Sequence, residues 1–90
     1  MTITAADTDR NHDLTEAEIA AARDLYARIE RAQAFIQEHR AANGGDKAPD
    51  DWLWMGAWLG LNGFREEMLS GQPWQIRLCL DNPPSLPPGV

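Results

Sequence analysis

Oxygen-bearing side chains recur near the start of the chain at a spacing that suits a hard metal ion. Asp7, Asp9 and Asn11 stand at every second position, and Glu18 follows seven residues after Asn11. Calcium takes about six to eight oxygen ligands, which carboxylates and amide carbonyls supply well. Calcium binding by this segment is therefore one hypothesis for the function of the chain.

The segment from 7 to 18 resembles the twelve-residue calcium loop of the EF-hand family. In that family the side-chain ligands include positions one, three, five and twelve, which here hold Asp7, Asp9, Asn11 and Glu18. His12 replaces the glycine of the family's sharp turn, and only six residues precede Asp7. Thr15 and Glu18 also have the spacing of a capping box, which starts a helix. The resemblance implies a calcium-binding protein as an alternative, while our adopted prediction assigns no metal ligand.

The residue types that perform catalysis are present but are not grouped in the sequence. His12 and His39 are far apart, and Cys79 has no histidine or other base close to it. Glu66 and Glu67 are adjacent, so on a helix their side chains point in different directions. We therefore predict no catalytic residues, no cofactor and no enzymatic activity.

Tryptophan is unusually dense, with four in 90 residues and three within seven positions: Trp52, Trp54 and Trp58. The segment from 52 to 64 carries no charge and is apolar on two sides of a predicted helix. Trp54 and Trp58 lie on the side that is expected to face the first helix. The other side is predicted to bind a partner, because large exposed aromatic residues dominate binding surfaces. The predicted partner-binding residues are Trp52, Met55, Leu59, Asp50 and Asp51.

Two glycines one helical turn apart, Gly56 and Gly60, interrupt this apolar segment. Each disfavours a helix by about 1 kcal/mol relative to alanine, so a compensating contact is expected. Two glycines at this spacing permit close backbone approach. The sequence leaves open whether the first helix or a second copy of the chain makes that contact.

Two helices are predicted from capping signals and apolar spacing. The first begins near Glu16, after the Thr15 cap, and ends at the Asn43-Gly44-Gly45 stop. Its apolar stripe consists of Ile19, Ala22, Leu25, Tyr26, Ile29, Ala32 and Ile36. The second helix is expected to have Pro49 in its first turn. The Asn62-Gly63 pair is expected to end or kink it.

Apolar and other residues alternate from 74 to 80, which predicts a half-buried strand. Such a strand needs a partner, which could be residues 2–4, the same strand of a second copy, or another protein. A short helix opening at Pro73 is the alternative. Residues 82–90 hold four prolines and are predicted to be extended, and residues 1–13 are predicted to be a flexible acidic tail.

Charge and composition exclude several classes of partner. The chain has 14 acidic and 8 basic residues, a formal net charge of −6, and no basic stripe, so direct nucleic-acid binding is not expected. No run of about 20 apolar residues is present, so no membrane span is predicted. One cysteine allows no disulfide within the chain, which favours the cytoplasm.

These observations predict a mainly all-α protein, a helical hairpin or small bundle over 14–81 with a short C-terminal strand, and a homodimer. The predicted function is that of a small acidic protein-binding module, an inhibitor or adaptor that docks on a larger protein and in its most specific form covers a basic nucleic-acid-binding surface. Small acidic phage inhibitors of the anti-CRISPR and anti-restriction type are similar in size and charge only. A calcium-binding protein and a structural homodimeric subunit are the alternatives.

Overall fold

Three helices and one short turn of 3-10 helix form the chain in a computed structural model, which describes residues 13–86. The helices are α1 (Glu16–Ala42), α2 (Asp51–Leu69) and α3 (Pro73–Asp81), and the 3-10 turn is Gly45–Lys47. Each helix contacts both of the others. The predicted mainly helical bundle is confirmed. Residues 1–12, which include nearly all of the predicted tail, lie outside the described residues. The predicted calcium-loop residues Asp7, Asp9 and Asn11 lie outside them as well.

Local sequence signals place both ends of α1 as predicted. The Thr15 hydroxyl accepts a hydrogen bond from the Glu18 N–H at 3.1 Å, and Glu18 Oε1 accepts one from the Thr15 N–H at 2.9 Å. This reciprocal pair is a capping box, which satisfies two backbone donors that the first helical turn leaves free. At the other end, Gly44 adopts a φ of 93°, a left-handed conformation that glycine enters without steric cost.

The apolar stripe of α1 forms the centre of the core. Ile29 and Ala32 are completely buried, Leu25 and Ile36 are nearly so, and Leu61 and Met68 of α2 complete the contact. Other predicted stripe and core residues are partly buried around this centre: Ala22, Tyr26, Trp54, Trp58 and Phe64. Ile19 is 36 % exposed, so the stripe ends one turn inside the start of α1.

The structure corrects two expectations about α2, namely where it begins and whether it is interrupted at Asn62-Gly63. The helix begins at Asp51 rather than at Pro49, which lies in the preceding turn. It also continues through Asn62 and Gly63 to Leu69 without a break. Leu61 and Met68, which lie on either side of Gly63 in sequence, are both buried in the core. Packing of this common face therefore outweighs the low helix propensity of the glycine.

The predicted strand from 74 to 80 is wrong, because this segment is helix α3. Gly71 has a φ of 73° and turns the chain, and Pro73 occupies the first turn, where its missing N–H costs nothing. Ile76 and Cys79 are buried three residues apart, which is helical spacing, while Trp74 and Leu78 are each 41 % exposed. Among residues 13–86 there is no strand with which an extended segment could pair. The extended tail is described only as far as Leu86, which is half-buried against the core.

An ion pair joins the start of α1 to α3 across 59 residues of sequence. Arg77 Nε donates to Glu18 Oε2 at 2.8 Å and its Nη2 donates to Glu18 Oε1 at 3.2 Å. The Arg77 guanidinium, together with the Thr15 N–H, lowers the pKa of Glu18 from 4.5 to about 2. Because the pKa is lowered by folding, the carboxylate stabilises the fold above pH 4.5, and this contribution is lost as the pH falls towards 2.

Replacement of Glu18 by glutamine is expected to reduce the acid sensitivity of the fold. The glutamine side chain keeps an acceptor for the Thr15 N–H but has no carboxylate to protonate, so less stability is lost between pH 4.5 and 2. Urea unfolding at a series of pH values in this window measures the slope. Glu16→Gln, which removes a charge from the same helical turn, is the control and should keep the wild-type slope. An unchanged slope in Glu18→Gln would show that the ion pair does not form.

Candidate functional site

The side of α2 opposite the core is an exposed apolar surface, which we call the outer face. Its exposed members are Trp52, Leu53, Gly56, Leu59, Gly60 and Gly63. Trp52 is 72 % exposed, Leu59 57 % and Leu53 54 %, and Met55 is half-buried at the edge of the face. The whole stretch from 52 to 64 lacks charged residues. An uncharged helix face with an exposed tryptophan is typical of a surface that binds a partner.

The glycines of the outer face have open space around them as far as residues 13–86 are concerned. A Cβ atom built on Gly56, Gly60 or Gly63 would meet no atom within 4 Å beyond the local backbone. Close packing against α1, one of the two explanations that the sequence leaves open, is therefore wrong. The three glycines form a flat strip along the outer face, bordered by the large side chains of Trp52 and Leu59.

An ion pair fixes the start of α2 against the end of α1. Arg40 Nε donates to Asp51 Oδ1 at 2.7 Å and Arg40 Nη2 donates to Asp51 Oδ2 at 3.1 Å, which is a two-point contact. The guanidinium holds the pKa of Asp51 below its usual value, and the carboxylate in turn raises the pKa of Arg40. The Asp51 carboxylate, predicted to bind a partner, thus has an intramolecular contact on each oxygen.

A stack of rings supports the same junction beside the ion pair. The His39 ring of α1 lies on the Trp54 ring, with 3.6 Å between centroids and 23° between planes, and Phe35 lies 6.1 Å from Trp54. The Trp54 Nε1–H donates to Asp50 Oδ2 at 3.4 Å. This packing directs Trp54 towards α1 and leaves Trp52, two positions earlier, on the opposite side of the helix.

The structure separates the five predicted partner-binding residues into groups. Trp52 and Leu59 lie together on the outer face, and Met55 lies at its edge. Asp50 is exposed at the first turn, and Asp51 faces α1. The prediction omitted Leu53 and Gly63, although the helical spacing of Gly63 from Trp52 and Gly56 places it on the same face.

Within the described residues 13–86, no three or more histidine, cysteine, aspartate and glutamate side chains are grouped so that they could hold a metal ion. Cys79 is buried, and its thiol donates to Glu67 Oε2 at 3.4 Å. Burial and then the Glu67 carboxylate raise the pKa of Cys79 to about 11, so the thiol stays protonated at neutral pH. Both carboxylate oxygens of Glu18, a calcium ligand only in the EF-hand alternative, already accept hydrogen bonds from Arg77.

No family model matches the chain, and no curated protein or solved structure is significantly similar to it. Within residues 13–86, none of the helices combines the length and the apolar character that crossing a bilayer requires.

Substitution of Gly60 by alanine is expected to stabilise the single chain. The new methyl group meets open space, and alanine favours the helix by about 1 kcal/mol relative to glycine. Urea unfolding at low protein concentration measures the change in the free energy of unfolding. Gly71→Ala is the matched control with the opposite sign, because its φ of 73° strains any residue with a Cβ. A destabilised Gly60→Ala monomer would show that this position is not open.

Proposed function

We propose that this chain is a small acidic, non-enzymatic protein-binding module, an inhibitor or adaptor, and that the outer face of α2 is its recognition surface. The single observation that carries the proposal is the exposure of Trp52, Leu53 and Leu59 on a helix face without charge. Tryptophan in such a position can contribute about 2 kcal/mol or more when a partner covers it.

The support comes from apolar contact more than from acidity. Acidic and basic residues are interspersed on α1, which carries five of the former and four arginines. Two carboxylates are neutralised within the chain, by the Arg40–Asp51 and Arg77–Glu18 ion pairs. The net charge of −6 then acts over a distance and steers the module towards basic surfaces, including those that bind nucleic acid.

The position of the recognition surface can be tested by photo-crosslinking in the cells from which the chain comes. A photoreactive phenylalanine analogue at position 59 should give a discrete protein adduct, because Leu59 lies on the outer face. The same analogue at Glu30, exposed on α1, is the control. Absence of any adduct from position 59, or equal adducts from both positions, would contradict the proposal.

The salt dependence of binding between the chain and the protein identified by crosslinking separates apolar docking from acidic mimicry. We expect affinity to change by less than about threefold between roughly 0.1 and 1 M salt, since screening weakens contacts between charges but not apolar contacts. The affinity of the purified pair can be followed by titration calorimetry. A loss of about tenfold or more would instead assign recognition to the acidic groups and not to the outer face.

A calcium-dependent function would require Glu18 to give up contacts that it makes within the fold. Calcium ligation by Glu18 would have to displace both the Arg77 guanidinium and the Thr15 N–H, which would undo the cap of α1. The structure offers no specific observation in favour of this alternative, so we do not propose it.

A further inference from the structure

The spacing of residues along the outer face is that of a helix–helix seam. Four exposed positions along the centre of the face follow one another in steps of four, three and four and alternate a large side chain with glycine: Trp52, Gly56, Leu59 and Gly63. Steps of four and three place residues on the line where two helices pack side by side. The large side chains project as knobs, and the glycines provide the gaps between them.

Two such helices fit each other when they run in opposite directions. Trp52 and Gly63 have their midpoint between residues 57 and 58, and Gly56 and Leu59 have the same midpoint. A two-fold axis at this point sets Trp52 of one copy level with Gly63 of the other. It likewise sets Leu59 level with Gly56, so that Trp52 and Leu59 are each matched with a glycine. Parallel helices would instead align Trp52 with Trp52 and leave the glycines facing each other.

From this pattern we propose that the outer face binds a second copy of the chain, with the two α2 helices antiparallel and in contact along Trp52, Gly56, Leu59 and Gly63. The proposal rests on the proposed function, because it names the partner of the same recognition surface. It also explains the three glycines, at which an added Cβ would meet open space among the described residues and which allow two helix backbones to approach closely.

The distribution of charge suits the antiparallel arrangement. No charged residue lies between Asp51 and Arg65, so two chains of net charge −6 meet over a neutral strip. Asp50 and Arg65 flank the strip but lie on the side of α2 that faces α1, where Asp50 accepts a hydrogen bond from Trp54 and Arg65 lies over the Tyr26 ring, so neither charge enters the contact. The helix dipoles also oppose each other in this orientation, which is favourable.

The arrangement is tested by whether a single substitution, Gly56→Leu, weakens or strengthens the dimer. Gly56→Leu adds a large side chain level with Leu59 of an antiparallel partner, which would force the helices apart. In a parallel pair the same change would add a leucine–leucine contact and strengthen the dimer. Because leucine favours a helix over glycine, Gly56→Leu should also keep the monomer folded, which circular dichroism can confirm.

Analytical ultracentrifugation of the full chain from about 1 to 300 µM measures the association, a range in which weak dimers populate both states. We expect a monomer–dimer equilibrium for the wild type and dimerisation weaker by about tenfold or more for Gly56→Leu. The swap Gly56→Leu with Leu59→Gly restores one large residue opposite one glycine, so dimerisation should recover to within about threefold of the wild type. Glu30→Leu, which adds a leucine to the exposed side of α1, is the control and should leave the equilibrium unchanged.

Each other outcome overturns the proposal. A wild-type chain that stays monomeric throughout excludes the second copy as the occupant, and a Gly56→Leu variant that dimerises equally or better excludes the antiparallel register. A monomer that still forms an adduct with a different protein from position 59 overturns only this inference and retains the proposed function. A monomer that forms no adduct there overturns both.

Discussion

A single long helix can cover only one side of its neighbour, and this constraint shapes the molecule. The stripe of α1 centred on Ile29 and Ala32 is completely buried against the side of α2 that includes Leu61. Helix α3 has only nine residues and also packs against α1, at the end where Glu18 and Arg77 meet. Nothing in the described chain is left to cover the outer face of α2, although that face exposes Trp52, Leu53 and Leu59 and carries no charge over residues 52–64.

The two ion pairs hold the helices in fixed positions, and so determine which side of α2 is exposed. The Arg40–Asp51 pair holds the start of α2 near the end of α1, and the Arg77–Glu18 pair holds α3 near the start of α1. Both are two-point contacts, which constrain direction as well as distance. With the Trp54 ring stacked on His39, the rotation of α2 about its own axis is set. Trp52 is consequently presented outwards before any partner arrives, which lowers the entropic cost of binding.

Features governed by neighbours in sequence could be predicted, and features governed by distant contacts could not. The capping box of Thr15 and Glu18, the stripe of α1 and the exposure of Trp52 and Leu59 all follow from spacing within one helix. The strand predicted at 74–80 failed because the buried residues are Ile76 and Cys79, which would fall on opposite faces of a strand but lie on the same face of a helix. Only the contact with α1 and α2 decides between the two patterns, and a pattern within one segment does not contain it.

The charged residues Asp51 and Glu18 show the same contrast between properties set by neighbours in sequence and contacts with distant residues. The sequence places Asp51 in the first turn of a helix and Glu18 in a capping box, both of which are local properties. Their arginine partners lie 11 and 59 residues away, and no spacing rule relates them. A carboxylate that appears available for a partner or a metal in the sequence can therefore be engaged inside the fold.

The glycines of the outer face reveal how stability and recognition oppose each other in this chain. In the isolated bundle each of Gly56, Gly60 and Gly63 weakens α2, because an alanine would fit without contact and favour the helix. The same absence of side chains keeps the face flat and lets another backbone approach it. A helix selected for folding alone would place alanine at all three positions, and the proposed contact with a second backbone accounts for the glycines. The cost to the monomer and the access to a partner then have one physical origin, the missing Cβ atoms.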